Sequence, residues 1–424
     1  MYQIDYTYLR PKKAAALKAL HEAPMKLRND LQVWSGENAT VLPVRKNDEY
    51  GWTGLGGVLD HQNQYVALSA TLPFVDIGYS APNRVYRDKK VVYCGYLIHH
   101  WGHFLMEGIS RLWYFLENDP TIDQYVFLLD ENEQREIRGN YREFLELLGI
   151  WSKLEFVNTP TTYREVLVPE ISYGKLKYYS ASHLSVFDTV AKNIHTQPDW
   201  KAYPKIYLSR SQLKKEAQYE FGHEVLDDFF AANGYQVLYP EQVSLSQMIF
   251  WIHNAQVVAA ASGSAPHNML FSQQGQHLEI LERSVPNNDY QVNINHMKQL
   301  HVTYIDANLS LYTVAACGPF LVGYTPLLEQ FAKDRHYSPP QDKYLPEIYF
   351  DRCFPLYMKA YFDLNQYRWF IEESMIPEMD YRIEAYQEAA DFFKDYLAGR
   401  KPFLWYHYLM PHYWKQFIKR LIGR

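Results

Sequence analysis

The sequence predicts an α/β fold of two Rossmann-like halves joined by a short linker. The first observation is a regular alternation of strand-like and helix-like segments between residues 205 and 306, which is typical of a parallel, doubly wound sheet. The second is a less regular succession of the same segment types before residue 195. The third is the length of 424 residues, which is too long for one compact core.

The second half carries the clearest pattern. Short apolar runs bounded by turn residues predict five buried strands, at 205–210, 235–240, 256–262, 277–283 and 301–306. Helical periodicity predicts helices at 223–234, 244–255 and 296–300, and a short one at 265–271. Gly234 suits the position just after a helix, and Ser244 with Gln247 has the capping-box spacing.

The first half is less regular but has the same character. A long buried helix is predicted at 97–117, followed by a strand, a helix and two strands at 125–129, 133–148, 154–157 and 163–170. Short strand-like pieces fill 40–92. Periodicity lapses at 195–204, where two prolines lie. The predicted domains are therefore 1–198, 199–310 and a mostly helical, aromatic-rich region at 311–424.

Composition narrows the functional class. Forty-two Lys and Arg against 48 Asp and Glu give a net charge of −6, so a broad basic surface for nucleic acid is not expected. The three cysteines are far apart, which is unlike a zinc knuckle or a disulfide framework. The first residues lack a signal-peptide pattern, and no apolar run is long enough to span a bilayer. We expect a soluble cytoplasmic protein.

Several catalytic signatures are absent from the sequence. It contains no Asp-x-Asp pair, no HExxH, no GxxxxGK[ST] phosphate loop and no GxSxG elbow. These absences weigh against metal-dependent phosphoryl transfer and serine hydrolysis.

Four polar residues follow one another at intervals of four on the predicted 97–117 helix: His99, His103, Glu107 and Arg111. Positions i and i+4 share a helix face, so they form a polar stripe on an apolar helix. One interpretation is internal pairing, with Glu107 bonded to Arg111. Another is a catalytic carboxylate or imidazole at a cleft. A metal site formed by the two histidines and Glu107 is a third.

Two further groups lie where ligands bind in open α/β sheets, at the carboxyl ends of strands. The small-residue turn in 261–271 offers backbone N–H groups to an anion, although it could equally be an ordinary tight turn. Ser209 and Arg210 end the first strand of the second half, where a guanidinium can bind phosphate oxygens. Glu279 and Glu282 could reach a ribose diol or could be solvated edge carboxylates.

Taken in order, these segments resemble glycosyltransferase family 61. The matching stretches are HFLMEGISRL (103–112), IYLSR (206–210), His223–Glu224, Gly234–Tyr235, SGSAPHNMLF (262–271) and GQHLEILE (275–282), within about residues 93–306. Three positions depart from the family pattern: Ser262 stands for the usual His, His223 for Asn, and Ser264 for Ala.

The resemblance implies a GT-B architecture, in which the C-terminal domain binds a nucleotide sugar. It also implies sugar transfer with inversion and without a bound metal or other cofactor. Such a displacement needs a base for the acceptor hydroxyl and a cationic or dipolar group for the leaving diphosphate. Glu107 is the expected base, with His103 as its orienting partner or substitute.

The remaining roles are assigned on the same resemblance. The expected donor-binding residues are Ser209, Arg210, Gly263, Ser264, Ala265, Asn268, Glu279 and Glu282, with Glu279 preferred for the ribose. His99 and Arg111 are expected on the acceptor side of the cleft. The partners would be a nucleotide sugar and a glycan or lipid-linked acceptor, in the synthesis of a bacterial surface polysaccharide such as a capsule.

Two other functions stay open at this point. The departures at Ser262 and His223 favour a non-catalytic scaffold that binds a sugar or nucleotide. A metal-dependent hydrolase would use His99, His103 and Glu107.

The C-terminal tail has a pattern of its own. Residues 396–424 contain six basic residues and no acidic one. On a helix beginning near Pro411, apolar and basic side chains fall on opposite faces. This pattern is typical of a peripheral anchor on an anionic membrane surface, and equally of a helix packed on the protein. The expected membrane contacts are Trp405, Trp414, Lys415, Phe417, Lys419 and Arg420.

Overall fold

The computed structural model describes residues 3–46, 54–71, 74–134, 136–213, 220–284, 287–310 and 318–341, together with 353, 354, 356, 357 and 360. The predicted membrane-contact residues lie outside this part of the chain, as does most of the region predicted to be helical at 311–424. No helix in the described ranges has the length and apolarity needed to cross a bilayer.

Eighteen strands are described. In chain order they are β1 (Ile4–Tyr8), β2 (Lys26–Leu27), β3 (Val33–Lys46), β4 (Gly54–Leu59), β5 (Val75–Ile77), β6 (Val85–Tyr96), β7 (Gln124–Leu128), β8 (Leu154–Val157), β9 (Thr161–Pro169), β10 (Tyr173–Gly174), β11 (Tyr178–Tyr179), β12 (Lys205–Leu208), β13 (Glu220–Phe221), β14 (Gln236–Leu238), β15 (Val257–Ala261), β16 (His277–Glu282), β17 (His301–Asp306) and β18 (Phe320–Leu321).

Helices connect and cover these strands. The α-helical segments are α1 (Pro11–Glu22), α2 (Trp101–His103), α3 (Gly139–Leu148), α4 (Ala181–Lys192), α5 (His223–Ala232), α6 (Leu245–Asn254), α7 (Asp289–Lys298) and α8 (Pro326–Asp334). Short 3-10 turns lie at Ala67–Ser69, Leu112–Glu117, Trp151–Lys153, Pro240–Gln242 and Pro266–Phe271, and a π-helical turn at Phe104–Gly108.

The prediction of an α/β fold is confirmed, and, compared with the first half, the second half of the chain matches the predicted strands more closely. Its six strands pair in the order β1, β17, β16, β15, β12, β14, and every pairing is parallel. Five of them are the predicted strands. Ser244 accepts a hydrogen bond from the Gln247 N–H at 3.2 Å, as the capping-box spacing predicts. The sixth strand, β1, pairs with β17, although the sequence placed residues 1–198 together. The division into domains at residues 198 and 310 stays a prediction.

The first sheet has seven strands in the order β5, β4, β3, β9, β6, β7, β8. Its strands are parallel from β9 to β8, whereas β3 runs antiparallel to both β4 and β9. The sequence predicted short pieces over 40–92, but β3 and β6 are long strands of 14 and 12 residues. The sheet is therefore mixed, which strand-by-strand periodicity does not reveal.

A layer of aromatic side chains joins the two halves of the chain. Phe271, in the 3-10 turn after β15, lies 6.1 Å from Phe144 of α3 and 5.3 Å from Phe187 of α4, measured between ring centroids. All three side chains are buried in one continuous apolar core. Because aromatic interiors pack at near-crystalline density, this contact fixes the turn after β15 against the first half.

The predicted long helix at 97–117 is wrong. Residues 101–103 form a single α-helical turn, Phe104–Gly108 form a π-helical turn, and Leu112–Glu117 form a 3-10 helix. The Ile109 N–H bonds back to the Phe104 carbonyl at 3.0 Å, and the Ser110 hydroxyl donates to the Glu107 carbonyl at 2.6 Å. Gly108 and a serine that competes for a helix carbonyl explain the break.

Candidate functional site

The π-helical turn carries Glu107, and its predicted contact with His103 is present in the structure. His103 Nδ1 lies 3.2 Å from Glu107 Oε2, with 23% of the His103 side chain and 10% of the Glu107 side chain exposed. A π-helical turn widens the backbone locally, and such turns are frequent at functional sites. The carboxylate is thus oriented by an imidazole while part of it still reaches solvent.

Tyr290, near the start of α7, closes over this pair from the second half of the chain. Its ring centroid lies 5.2 Å from that of His103, in an edge-on arrangement. Burial raises the pKa of Tyr290 above its usual value, and the charge of Glu107 and a hydrogen bond to it add to the shift. The phenol therefore stays protonated and donates to the carboxylate. Lys175 Nζ lies 4.6 Å from the centre of the Tyr290 ring.

The small-residue turn after β15 meets the same segment from the other side. A Cβ atom on Gly102 would lie 2.7 Å from His267 Nδ1, so a side chain there would displace the histidine. Trp101 Nε1 donates to Asn268 Oδ1 at 2.8 Å, and Asn288 Nδ2 lies 3.2 Å from His267 Nε2. Burial lowers the pKa of His267 to about 3, so this imidazole is neutral.

The backbone of the turn itself is available to a ligand. The N–H groups of Gly263, Ser264 and Ala265 donate no hydrogen bond within the described residues, whereas the Ser262 N–H donates to Leu281. Gly263 and Ser264 are half-buried. The helix that follows is only a six-residue 3-10 turn, so its dipole is small. The amides rather than a dipole make this turn suitable for an anion.

Two guanidinium groups and one carboxylate lie beside the turn. Arg210 Nη2 bonds to Glu220 Oε1 at 2.7 Å, and Arg283 Nη1 bonds to the same oxygen. Glu220 Oε2 lies 2.8 Å from His223 Nε2. Burial alone would raise the pKa of Glu220, but the charges of Arg283 and Arg210 hold it well below its usual range. Two arginines per carboxylate leave a net positive charge at the turn.

Arg283 also stabilises the turn after β15, through both its side chain and its backbone. Its Nε donates to the Ser262 carbonyl, and its backbone N–H donates to Ser262 Oγ at 3.2 Å. A Cβ atom on Gly263 would lie 2.7 Å from Arg283 Nη2, and the φ of Gly263 is +134°. The guanidinium therefore requires glycine at this position.

Ser209 stabilises the end of β12, and its side chain is not exposed to a ligand. Its hydroxyl donates to Asp227 Oδ1 of α5 at 2.5 Å and accepts from the Ser211 N–H at 3.0 Å. Only 1% of Ser209 is exposed. The same helix carboxylate thus fixes the turn from which the half-buried Arg210 projects.

Three residues predicted to contact the donor have partners within the protein, and their donor role stays a prediction. Asn268 is buried and bonds to Trp101 and to the Ala265 carbonyl, so it joins two segments. Glu279 lies near the start of β16, away from the strand's carboxyl end, and accepts a 2.7 Å bond from the Tyr235 hydroxyl. Glu282 lies at the right end, but it is buried against Lys13 Nζ at 2.6 Å. A ribose diol cannot reach either carboxylate without breaking these contacts.

The acceptor-side assignments also change. Arg111 is buried, and its guanidinium donates to the carbonyls of Pro169, Leu68 and Ala70 at 2.7–2.9 Å, not to Glu107. The interpretation of Glu107 and Arg111 as a pair is therefore wrong, and Arg111 does not line a cleft. The His99 ring lies 5.7 Å from that of Tyr141, apart from the stripe, because residue 99 precedes the helical turn.

The three residues that a hydrolase would use do not form a metal site. Within the described ranges, no three His, Cys, Asp or Glu side chains are grouped so as to hold a metal ion. His99, His103 and Glu107 all belong to these ranges, so that alternative loses its ligand set.

Sequence reasoning missed Tyr290, His267 and Arg283. Arg283 had a usable signal, since it follows β16 at its carboxyl end just as Arg210 follows β12. Partial loss of hydration, with the nearby charges of His103 and Arg210, lowers the pKa of His100 to about 4. The His100 ring lies 4.9 Å from the ring of His103. The turn that carries Glu107 contacts the turn after β15 through Gly102 and His267, and Arg210 and Arg283 meet at Glu220.

The comparisons with known proteins bear on the same residues. A family model described as Glycosyltransferase 61 matches residues 101–278. The matched stretch contains Glu107, Arg210 and the whole small-residue turn, and it ends before Arg283 and Tyr290. No curated protein matches the chain.

Proposed function

Because a Glycosyltransferase 61 family model matches residues 101–278, we propose that the protein transfers a sugar from a nucleotide sugar to a hydroxyl of a glycan or lipid-linked acceptor. The transfer inverts the anomeric carbon in one displacement and uses a GT-B arrangement of the two sheets. The observation that carries the proposal is that Tyr290 and His267 bring the Glu107 pair and the cationic turn together.

Glu107 is the base in this proposal. As the acceptor oxygen bonds to the anomeric carbon, its proton passes to a Glu107 carboxylate oxygen. The bond from that carbon to the donor phosphate breaks, and its electron pair leaves on the diphosphate. His103, at 3.2 Å, and the Tyr290 hydroxyl orient the carboxylate. Both partners fix the position of the carboxylate before the proton arrives.

The leaving diphosphate binds at the turn after β15. Arg210 and Arg283 supply a net positive charge after pairing with Glu220, and the amides of Gly263, Ser264 and Ala265 face the developing negative charge. Preorganised donors of this kind stabilise a transition state most where charge appears. Arg283 replaces Glu279 and Glu282 as the donor-side residue of β16.

Two of the three departures from the family pattern, His223 and Ser262, belong to this machinery. His223 bonds to Glu220, and Ser262 accepts from Arg283. Both therefore support the arginine cluster, which favours an enzyme over a scaffold that has lost its chemistry.

We further propose that no bound metal is needed, because the sequence lacks the Asp-x-Asp pair with which many transferases hold one. The site would act in the cytoplasm on surface polysaccharide such as capsule, with the basic tail contacting the membrane. Activity that disappears in EDTA and returns with Mg²⁺ or Mn²⁺ would contradict the metal-free mechanism.

The experiment is a donor screen. Purified protein is incubated with UDP-, GDP- and CMP-linked sugars, and released nucleotide is measured with and without candidate acceptors. Slow hydrolysis of one donor, and an inverted product by NMR, are expected. Binding of a nucleotide without release of nucleotide from any donor would support the scaffold and refute the enzyme.

A further inference from the structure

A groove in the first sheet lies outside the site described above. It has a volume of about 460 Å³ and is formed by the beginning of β3 and the loop from Asp60 to Leu68. This volume falls within the roughly 300–1,000 Å³ typical of small-molecule sites. None of its lining residues takes part in the proposed transfer.

An aromatic platform forms one wall of the groove. Trp34 and Gly36 lie on the same face of β3, because alternate strand residues do. A Cβ atom on Gly36 would lie only 2.2 Å from Trp34 Cη2, so the six-membered ring of the indole occupies the space beside this glycine. Tyr65 adds a second ring to the lining. Flat aromatic faces attract the C–H-rich faces of sugar rings, because the ring face carries partial negative charge.

Polar groups are placed around these rings. Asp60 Oδ1 accepts from the N–H groups of Gln62 and Gln64 at 2.8 Å, which fixes the loop. Asp60 Oδ2 and the side-chain amides of Gln32 and Gln64 form no hydrogen bond with any residue in the described ranges, so they can bond to hydroxyls. Asp60 is the single charged lining residue. The groove therefore suits a neutral ligand and disfavours an anionic one.

The groove is tied to the element that carries Glu107. Arg111 donates to the carbonyl of Leu68, in the groove floor, and to that of Pro169. The next residue, Glu170, accepts from the Gln32 N–H in the groove wall at 3.0 Å. Arg111 follows Glu107 by four positions, so the backbone between them spans at most roughly 14 Å. One buried arginine therefore joins the groove to the turn that carries Glu107.

We propose that this groove binds a neutral oligosaccharide segment of the acceptor and holds the glycan chain while its end reaches Glu107. The inference rests on the proposed function for the identity of the glycan as acceptor, whereas glycan binding itself does not depend on it.

The test is binding of the full chain to an array of neutral and anionic glycans, with Trp34→Ala, Gln64→Ala and a control, Trp200→Ala. Trp200 is a half-buried tryptophan outside the groove, packed on Phe250. We expect wild type and the control to bind a neutral glycan, and Trp34→Ala to bind it on the order of tenfold more weakly. The exposed Gln64 gives a second variant that leaves the core untouched.

Three outcomes would overturn the proposal. They are that wild type binds no neutral glycan, that wild type prefers anionic glycans, and that both groove variants bind the neutral glycan as tightly as wild type does. Measuring donor hydrolysis distinguishes failure of the groove proposal from failure of the proposed transferase function. Both groove variants should release nucleotide from the donor at the wild-type rate. If wild type binds a neutral glycan through Trp34 but hydrolyses no donor, the groove stands and the transferase assignment fails.

Discussion

Replacing Glu220 by glutamine should separate the structural and ligand-binding roles of the arginine cluster. The carboxylate is 3% exposed and pairs with both Arg210 and Arg283, whose side chains are 13% and 10% exposed. Removing one member of a buried ion cluster leaves the other charges uncompensated and costs about 3–5 kcal/mol. With an unfolding entropy of about 2.1 cal/mol/K per residue over 424 residues, the unfolding midpoint should fall by about 3–6 °C.

The assay is thermal unfolding with and without UDP, with Glu131→Gln as control. Glu131 pairs with Arg45 at the surface, so its loss should cost less than about 1 kcal/mol. Because a diphosphate can replace the missing carboxylate, UDP should stabilise Glu220→Gln more than wild type. An unchanged midpoint in Glu220→Gln would refute the account of the cluster. Equal stabilisation by UDP would refute only its role in donor binding.

Acid titration of the same variant tests the sign of the electrostatics. The pKa of Glu220 is depressed in the folded protein, so its contribution is complete above the unfolded value near about 4.3 and declines as pH falls further. The stability gap between wild type and Glu220→Gln should stay constant at neutral pH and narrow only below that value. A gap that already closes between pH 7 and 5 would assign the effect to another group.

Four further substitutions test individual contacts. Arg111→Met should cost more than about 3 kcal/mol in denaturant unfolding, because it strips donors from buried carbonyls; wild-type stability would instead indicate a role in the cleft. Asn268→Ala and Trp101→Phe should show a coupling energy of about 0.5–3 kcal/mol in a double-mutant cycle, whereas additive effects would mean that their 2.8 Å bond contributes nothing. The pKa of His267 is lowered to about 3, so its contribution is present above about pH 6.5 and is lost at about 1.4 kcal/mol per pH unit below it. His267→Asn should reduce that pH slope in urea unfolding at pH 5–7, by an amount that approaches about one bound proton near pH 5, and an unchanged slope would contradict the assignment.

The second sheet was predictable because its strands are buried on both faces. Runs such as β15, with the sequence VVAAA, can satisfy their apolar side chains only inside a parallel sheet. The pairing of β1 with β17 was not predicted, because it joins residues almost three hundred positions apart in the sequence. No local pattern encodes such a contact.

The candidate site was predictable in its segments but not in its contacts. An apolar run such as 97–117 fits one buried helix, and only the tertiary setting shows that Gly108 and Ser110 turn the chain instead. His103 and Glu107 stayed together because they lie within a single turn. Arg111, beyond the break, was carried to a different set of partners. Tyr290 joined the site through folding alone, from nearly two hundred residues away.

Turnover by Glu107→Gln is the most direct measure of the central claim. The variant keeps the size of the side chain and removes the base, so donor-dependent transfer should fall by on the order of 10²–10⁴. Its unfolding midpoint and UDP affinity should match wild type, and Glu117→Gln, an exposed glutamate on the following 3-10 helix, should stay fully active. Full activity of Glu107→Gln, in a folded protein that transfers sugar, would contradict the account.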